Sequence, residues 1–151
     1  VREQTPRRKR ERFIALGGQF EGRDWIAWKV VGSKLGSPQR LSKLTYRIGA
    51  MRDPNVADAN PANGCAQGLN IHAAQPDSKI VRRRHLVECR VSPDAVACVP
   101  HSAHAWRLGD TYTAGPKFRV QRLRVVASYK YVGRKLVLLE IDPDYELVPE
   151  P

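Results

Sequence analysis

The run "KFRVQRLRVVASY", residues 117–129, constrains the fold more than any other stretch of the chain. Its β-branched and aromatic content reads as strand. Phe118 and Val120 share one parity, while Leu123 and Val125 share the other. Side chains alternate faces along a strand, so a regular strand cannot turn all four inward. A bulge near Gln121 and Arg122 reconciles them. With that bulge, Arg119, Arg122 and Arg124 are expected to form a row of guanidiniums on the open face.

Other segments share the period of two. In "DWIAWKVV", Trp25, Ala27 and Lys29 fall on one face and Ile26, Trp28 and Val30 on the other. In "KLTYRIG", Leu44, Tyr46 and Ile48 alternate with Thr45 and Arg47, so a half-buried strand is expected there. "HLVECRV" places Val87, Cys89 and Val91 inward, with Cys89 a core residue and Glu88 and Arg90 outward. Pro93 ends that strand. "AVACVP" is a short apolar strand, and "YKYVGRKLVLLEI" is a hairpin turning near Val132-Gly133-Arg134. Residues 50–64 and 101–116 read as loops from their Pro, Gly and Asn content. The fold class is α+β, mostly antiparallel β, in a single compact domain with a basic N-terminal arm. Its expected parts are a flexible arm over residues 1–12, one β-rich domain over 13–142 and an acidic, Pro-containing tail over 143–151.

Charge narrows the function. Twenty-six Lys and Arg face fifteen Asp and Glu, a formal net charge of +11. Arg outnumbers Lys, and guanidinium forks bind phosphate in bidentate fashion. This balance points to nucleic acid or another polyanion as partner. The first twelve residues, "VREQTPRRKRER", hold six of the basic residues and two acidic ones. Such a block repels itself and stays extended in isolation. Its Arg7, Arg8, Lys9, Arg10 and Arg12 are expected to lie along a phosphate backbone, with a helix from Arg7 to Leu16 forming once a partner neutralises the charge. On this reading, deleting residues 1–12 leaves the fold intact. No run approaches the ~20 apolar residues that cross a bilayer, and no signal-peptide pattern stands at the start of the sequence. Three cysteines at irregular spacing suggest reduced thiols and a cytoplasmic setting, in a host cell or in a virion, with no membrane partner.

Sites for chemistry are sparse. Cys98, His101 and His104 stand at three-residue spacing, and Cys65 or His72 would complete a tetrahedral set. The two paired ligand knuckles usual for zinc are missing, so surface loop histidines are the simpler reading and no metal or cofactor is expected. A nucleophilic Cys65 beside His72 or His101 lacks an orienting third group. The stretch "NGCAQGLNIHAA", residues 63–74, reads as a Gly-bounded entry into a strand, with Asn70 and His72 projecting together from one face.

The order "WIAWKVV … KLTYRIG … GCAQGLNIHAA … HLVECRVSPDAVACVP … KFRVQRLRVV" resembles an uncharacterised phage-associated domain that also occurs in relatives of the T-even phage rapid-lysis accessory protein B. Its motifs match Tyr46 to Gly49, Cys65 with Gly68 and Leu69, Ser92 to Val99 with Pro100, and Lys117 to Val120. Where that domain has His after Gly-Leu, this chain has Asn70, with His72 two residues on. The resemblance implies a small phage- or mobile-element-associated protein and carries no activity with it. "GLNIHAA" followed by "LVECRV" is also similar to segments of ADP-ribosyltransferases. That likeness implies a nucleotide site near Asn70 and His72, with Tyr46 and Glu140 in supporting roles. The expected function is nucleic-acid binding through the arm and the Arg row. The rivals are an ADP-ribosyltransferase-like enzyme and a virion or assembly component that docks on an acidic partner, whether a virion or a host protein.

Overall fold

The structure, a computed structural model, describes residues 5–32, 46–52, 69–99, 106–108, 112–114 and 117–144. Its elements in chain order are α1 (Pro6–Ala15), β1 (Gln19–Glu21), β2 (Asp24–Val31), β3 (Gly49–Arg52), β4 (Leu69–His72), α2 (Ser78–Val81) and β5 (His85–Val91). A 3-10 turn (Pro93–Ala95) follows, then β6 (Val96–Cys98), β7 (Trp106–Leu108), β8 (Tyr112–Ala114), β9 (Lys117–Val120), β10 (Arg122–Val132) and β11 (Lys135–Ile141). All strand pairs among the described residues are antiparallel. The architecture is thus α+β and mostly antiparallel β.

The sheet closes on itself because of the bend that the parity switch demands. Strand order runs β11-β10-β5-β2-β4-β9-β6. β9 and β10 flank β5, β2 and β4 from opposite sides, yet only Gln121 separates them in the chain. A flat sheet cannot satisfy both facts, so the wall curls into a barrel. At the bend the Gln121 N–H leaves the ladder and donates to Ala95 O at 2.8 Å. Phe118, Val120, Leu123 and Val125 then all face the interior and all are buried. The other long edge of β9–β10 is lined by β4 and β3 in line, with Leu69 opposite Val120 and Arg52 opposite Arg122.

The interior is filled by the inward parity of each strand: Trp25, Ala27 and Val31 from β2, Val87, Cys89 and Val91 from β5, Leu69 and Ile71 from β4. Burial pushes the Cys89 thiol well above its ordinary pKa, with the neighbouring Glu88 charge adding to the effect. A smaller cluster sits on the outer surface, where α2 lays Val81 against Val30 and Leu86, flanked by Trp28 and Tyr129. The β10–β11 hairpin turns at Gly133, whose φ of 64° suits the left-handed region, and Val132 pairs with Lys135 across it.

Four expectations need correction. Residues 1–12 are not all a flexible arm. Thr5 caps α1 by accepting from the Arg8 N–H at 3.2 Å, Pro6 occupies the first turn, and the helix runs through the expected boundary to Ala15. Phe13 explains the docking, since it is wholly buried, stacks on Trp25 at 4.2 Å and meets Phe20 and Phe118 edge-on at 5.4 and 5.1 Å. The chain then turns so tightly that a Cβ on Gly18 would stand 2.3 Å from the Phe13 ring. Second, of the strand expected over "KLTYRIG", residues 43–45 lie outside the described residues and 46–48 are not strand; β3 runs from Gly49 to Arg52, where it pairs with Arg122 to Val125 of β10. Third, Trp106–Leu108 and Tyr112–Ala114 form a two-stranded ribbon inside the stretch read as a loop. Fourth, α2 forms where no helix was expected, nucleated by Asp77, whose carboxylate accepts from the N–H groups of Lys79 and Ile80 at 3.0 and 3.1 Å.

Candidate nucleic-acid interface

At the end of the barrel where β2 begins, α1 lies beside the β1–β2 turn and the 3-10 turn after β5. Between them is an open groove of about 580 Å³, whose lining includes Arg7, Lys9, Arg10, Arg23, Trp25 and Asp94. Each cation has a local reason for its place. Arg7, Lys9 and Arg10 are delivered by α1, and Lys9 is tethered by a 2.8 Å hydrogen bond from Nζ to Val96 O. Arg10 lies over the Phe20 ring, 4.7 Å from its centroid. Arg23 sits in the two-residue turn Gly22-Arg23 that joins β1 to β2, with Glu21 paired to Asp24.

The groove's electrostatics are one-sided. Four of its lining residues are cationic, and its one lining carboxylate, Asp94, is already engaged. Asp94 accepts from Ser92 Oγ and pairs with Arg122 Nη2 at 2.5 Å. The Ser92 hydrogen bond, with that of Arg122 next, holds its carboxyl below the usual Asp range. Arg7 shares a 3.1 Å exposed pair with Glu11, a contact worth roughly 0–1 kcal/mol that a phosphate can displace. α1 has no acidic residue in its first turn. Its basic side chains therefore crowd the positive end of the helix dipole, where an anion is favoured.

The other expected contacts distribute differently. Arg8 is exposed on α1. Arg12, in the last turn, is half-buried, and its Nη1 is buried with no hydrogen-bond partner among the described residues. Arg119, Arg122 and Arg124 do lie on the outward parity, but two are committed to carboxylates. Arg122 pairs with Asp94, and Arg124 pairs with the buried Asp142 through Nε at 2.8 Å and Nη2 at 2.6 Å. Arg119 stands opposite Asn70 across the β4–β9 pair and is half-buried. The row is thus a structural ion-pair belt more than an open track of guanidiniums.

Arg124, and after it the Asp144 N–H at 3.0 Å, holds the Asp142 carboxyl below the ordinary Asp value of about 3.9. A carboxyl whose pKa is lowered by folding stabilises the fold above its unfolded value, and that contribution is lost as pH falls through the lowered one. Asp94 acts in the same direction. Unfolding midpoints measured from about pH 6 down to about pH 2 should therefore drop below about pH 4. In Asp142→Asn the midpoint at neutral pH should be lower and the acid decline shallower.

The enzyme-like quartet is not assembled. Tyr46 is buried with the interior residues, Asn70 and His72 lie on the outward parity of β4, and Glu140 is exposed on β11. Asn70 and His72 share a face and are both buried, and Asn70 Oδ1 has no donor among the described residues. His101, His104, Cys65, Gly64 and Gly68 lie outside the described residues, and Cys98 closes β6. No cluster of three potential metal ligands occurs among the described residues, and no helix among them is long and apolar enough to cross a membrane.

Sequence reasoning missed Arg23 and Lys29. The "EGRD" stretch carries a Gly-X hairpin signal that would have placed Arg23 at a turn. Lys29 was in phase with Trp25 and Ala27, and it is indeed buried inside the barrel, 5.5 Å from the centroid of the Tyr46 ring. No known protein family, curated protein or solved structure matches this chain.

Proposed function

We propose that this protein binds nucleic acid, through its phosphate backbone, in the basic groove beside α1. The observation that carries this reading is the groove lined by Arg7, Lys9, Arg10 and Arg23, whose one lining carboxylate is held by Arg122. Arg and Lys presented without base-reading geometry favour sequence-independent affinity. The net charge of +11 adds a long-range field that speeds encounter with a polyanion. The docked helix changes the expected mode: a preformed cationic surface loses less entropy on binding than a flexible arm. The sequence resemblance supports a phage- or mobile-element-associated setting for this activity.

The test is titration of a fluorescent 20-base-pair duplex at several salt concentrations. The wild type should bind with micromolar-range affinity, roughly 10⁻⁴–10⁻⁶ M at physiological salt, and with a steep salt slope. In Arg10→Ala with Arg23→Ala, the slope should become shallower by about 2, near 0.9 per lost phosphate contact, while the unfolding midpoint falls by no more than about 4 °C from loss of the Arg10–Phe20 contact. A double variant that binds with the wild-type slope rules out the groove as the contact surface.

A further inference from the structure

We propose that the turn carrying Arg82 and Arg83 is a second contact for the same polyanion; this rests on the nucleic-acid reading above. Val81 to Arg84 form a tight turn, closed by the Arg84 N–H donating to Val81 O at 3.0 Å. Arg82, its first central residue, has φ 54° and ψ −121°. These are the dihedrals of the first central position of a type II′ turn, which belongs to glycine because a Cβ is strained there. Arg82 is the one non-glycine residue with positive φ among the described residues.

Burial does not explain an arginine at this place. Arg82 and Arg83 are both exposed, and so is Lys79 one turn earlier. No carboxylate among the described residues makes an ion pair with any of the three. Asp77, the acidic residue nearest to Lys79 and Arg82 in sequence, is turned to capping α2. One hydrogen bond, from Arg82 Nε to Lys79 O at 3.2 Å, braces the guanidinium over the helix end. The element below is anchored to the sheet, since Val81 is wholly buried against Val30 and Leu86. A strained, exposed, cationic tip on a fixed base is how a binding residue is held out, with strain stored at the functional position.

Placement makes the tip a partner of the groove. Trp25 lines the groove and pairs with Val91, while Val31, at the other end of β2, pairs with His85, which follows the turn. Six residue steps of strand, roughly 20 Å, separate the two ends. Phosphates recur every 3.4 Å along each strand of a duplex, so about six base pairs cover that length and a longer duplex reaches both.

The experiment compares wild type, Arg82→Gly and Arg82→Gly with Arg83→Ala in thermal unfolding and in salt titration of the same 20-base-pair duplex. Arg82→Gly should raise the unfolding midpoint by roughly 2–4 °C, because glycine relieves the turn, while weakening binding. The double variant should lower the salt slope by about 2. A raised midpoint with unchanged affinity and slope overturns the second contact and leaves the groove reading intact. A lowered midpoint in Arg82→Gly overturns the strain argument. A wild type that does not bind the duplex overturns the groove reading and this inference together.

Discussion

Phe13→Ala should lower the unfolding midpoint by roughly 6–20 °C. Truncating a buried Phe to Ala costs about 3–5 kcal/mol through lost transfer energy and the cavity left behind. In a domain of this size each kcal/mol moves the midpoint by roughly 2–4 °C. The upper half of that range is expected here, because the ring is wholly buried and contacts Trp25, Phe20 and Phe118 at once. Gly18, which closes against the ring, has no side chain to fill the gap. The same variant should weaken duplex binding, as α1 delivers three of the groove's cations. Deleting residues 1–12 removes the Thr5 cap and most of the helix, so it too should destabilise the domain. A truncated protein with the wild-type midpoint would show that α1 is not docked. Scanning calorimetry decides it.

The second large effect is expected at Arg90. Its guanidinium, 6% exposed, bridges two carboxylates: Nη2 meets Glu21 Oε2 at 2.9 Å and Nη1 meets Glu88 Oε2 at 2.7 Å. Nη1 also donates to Cys89 O at 3.2 Å. Tyr129 completes the network by donating its hydroxyl to Glu88 Oε1 at 2.9 Å, and burial with the Glu88 charge raises the phenol's pKa. Arg90→Ala strands Glu88, which is largely buried, and breaking such a pair from one side costs about 3–5 kcal/mol. Tyr129 still satisfies one carboxylate oxygen, which keeps the loss toward the lower figure. Glu21→Ala should cost far less, because Glu21 is partly solvated and Arg90 keeps Glu88. Urea unfolding of the two variants side by side gives the comparison, and equal losses would contradict this ordering.

Legibility in the sequence followed how local the cause was. β2, β5 and the β10–β11 hairpin were readable because their own alternation and the Gly133 turn define them. The parity switch was readable as a bulge near Gln121 and Arg122, but closure of the wall was not, because it depends on which distant strands pair with β9 and β10. β3 was not, because four residues become a strand only by pairing with β10. The Arg row misled for a related reason. Its carboxylate partners Asp94 and Asp142 stand 28 and 18 positions away in the chain, beyond any local pattern. α1 looked like a solvated arm because its one core anchor, Phe13, follows a dense run of cations. Lys29 had the right phase for the interior, but its residue type argued for solvent.

The most direct measurement of the central claim is amide chemical-shift mapping during titration with the 20-base-pair duplex. The groove reading predicts that shifts concentrate at Arg7, Lys9, Arg10, Gly22, Arg23 and Asp94, and that they fade as salt is raised. The amides of Lys135–Ile141, on the β11 edge away from the groove, should stay in place. Shifts centred on β11 or on the buried Asn70–His72 face, with the α1 and Gly22-Arg23 amides unmoved, would contradict it.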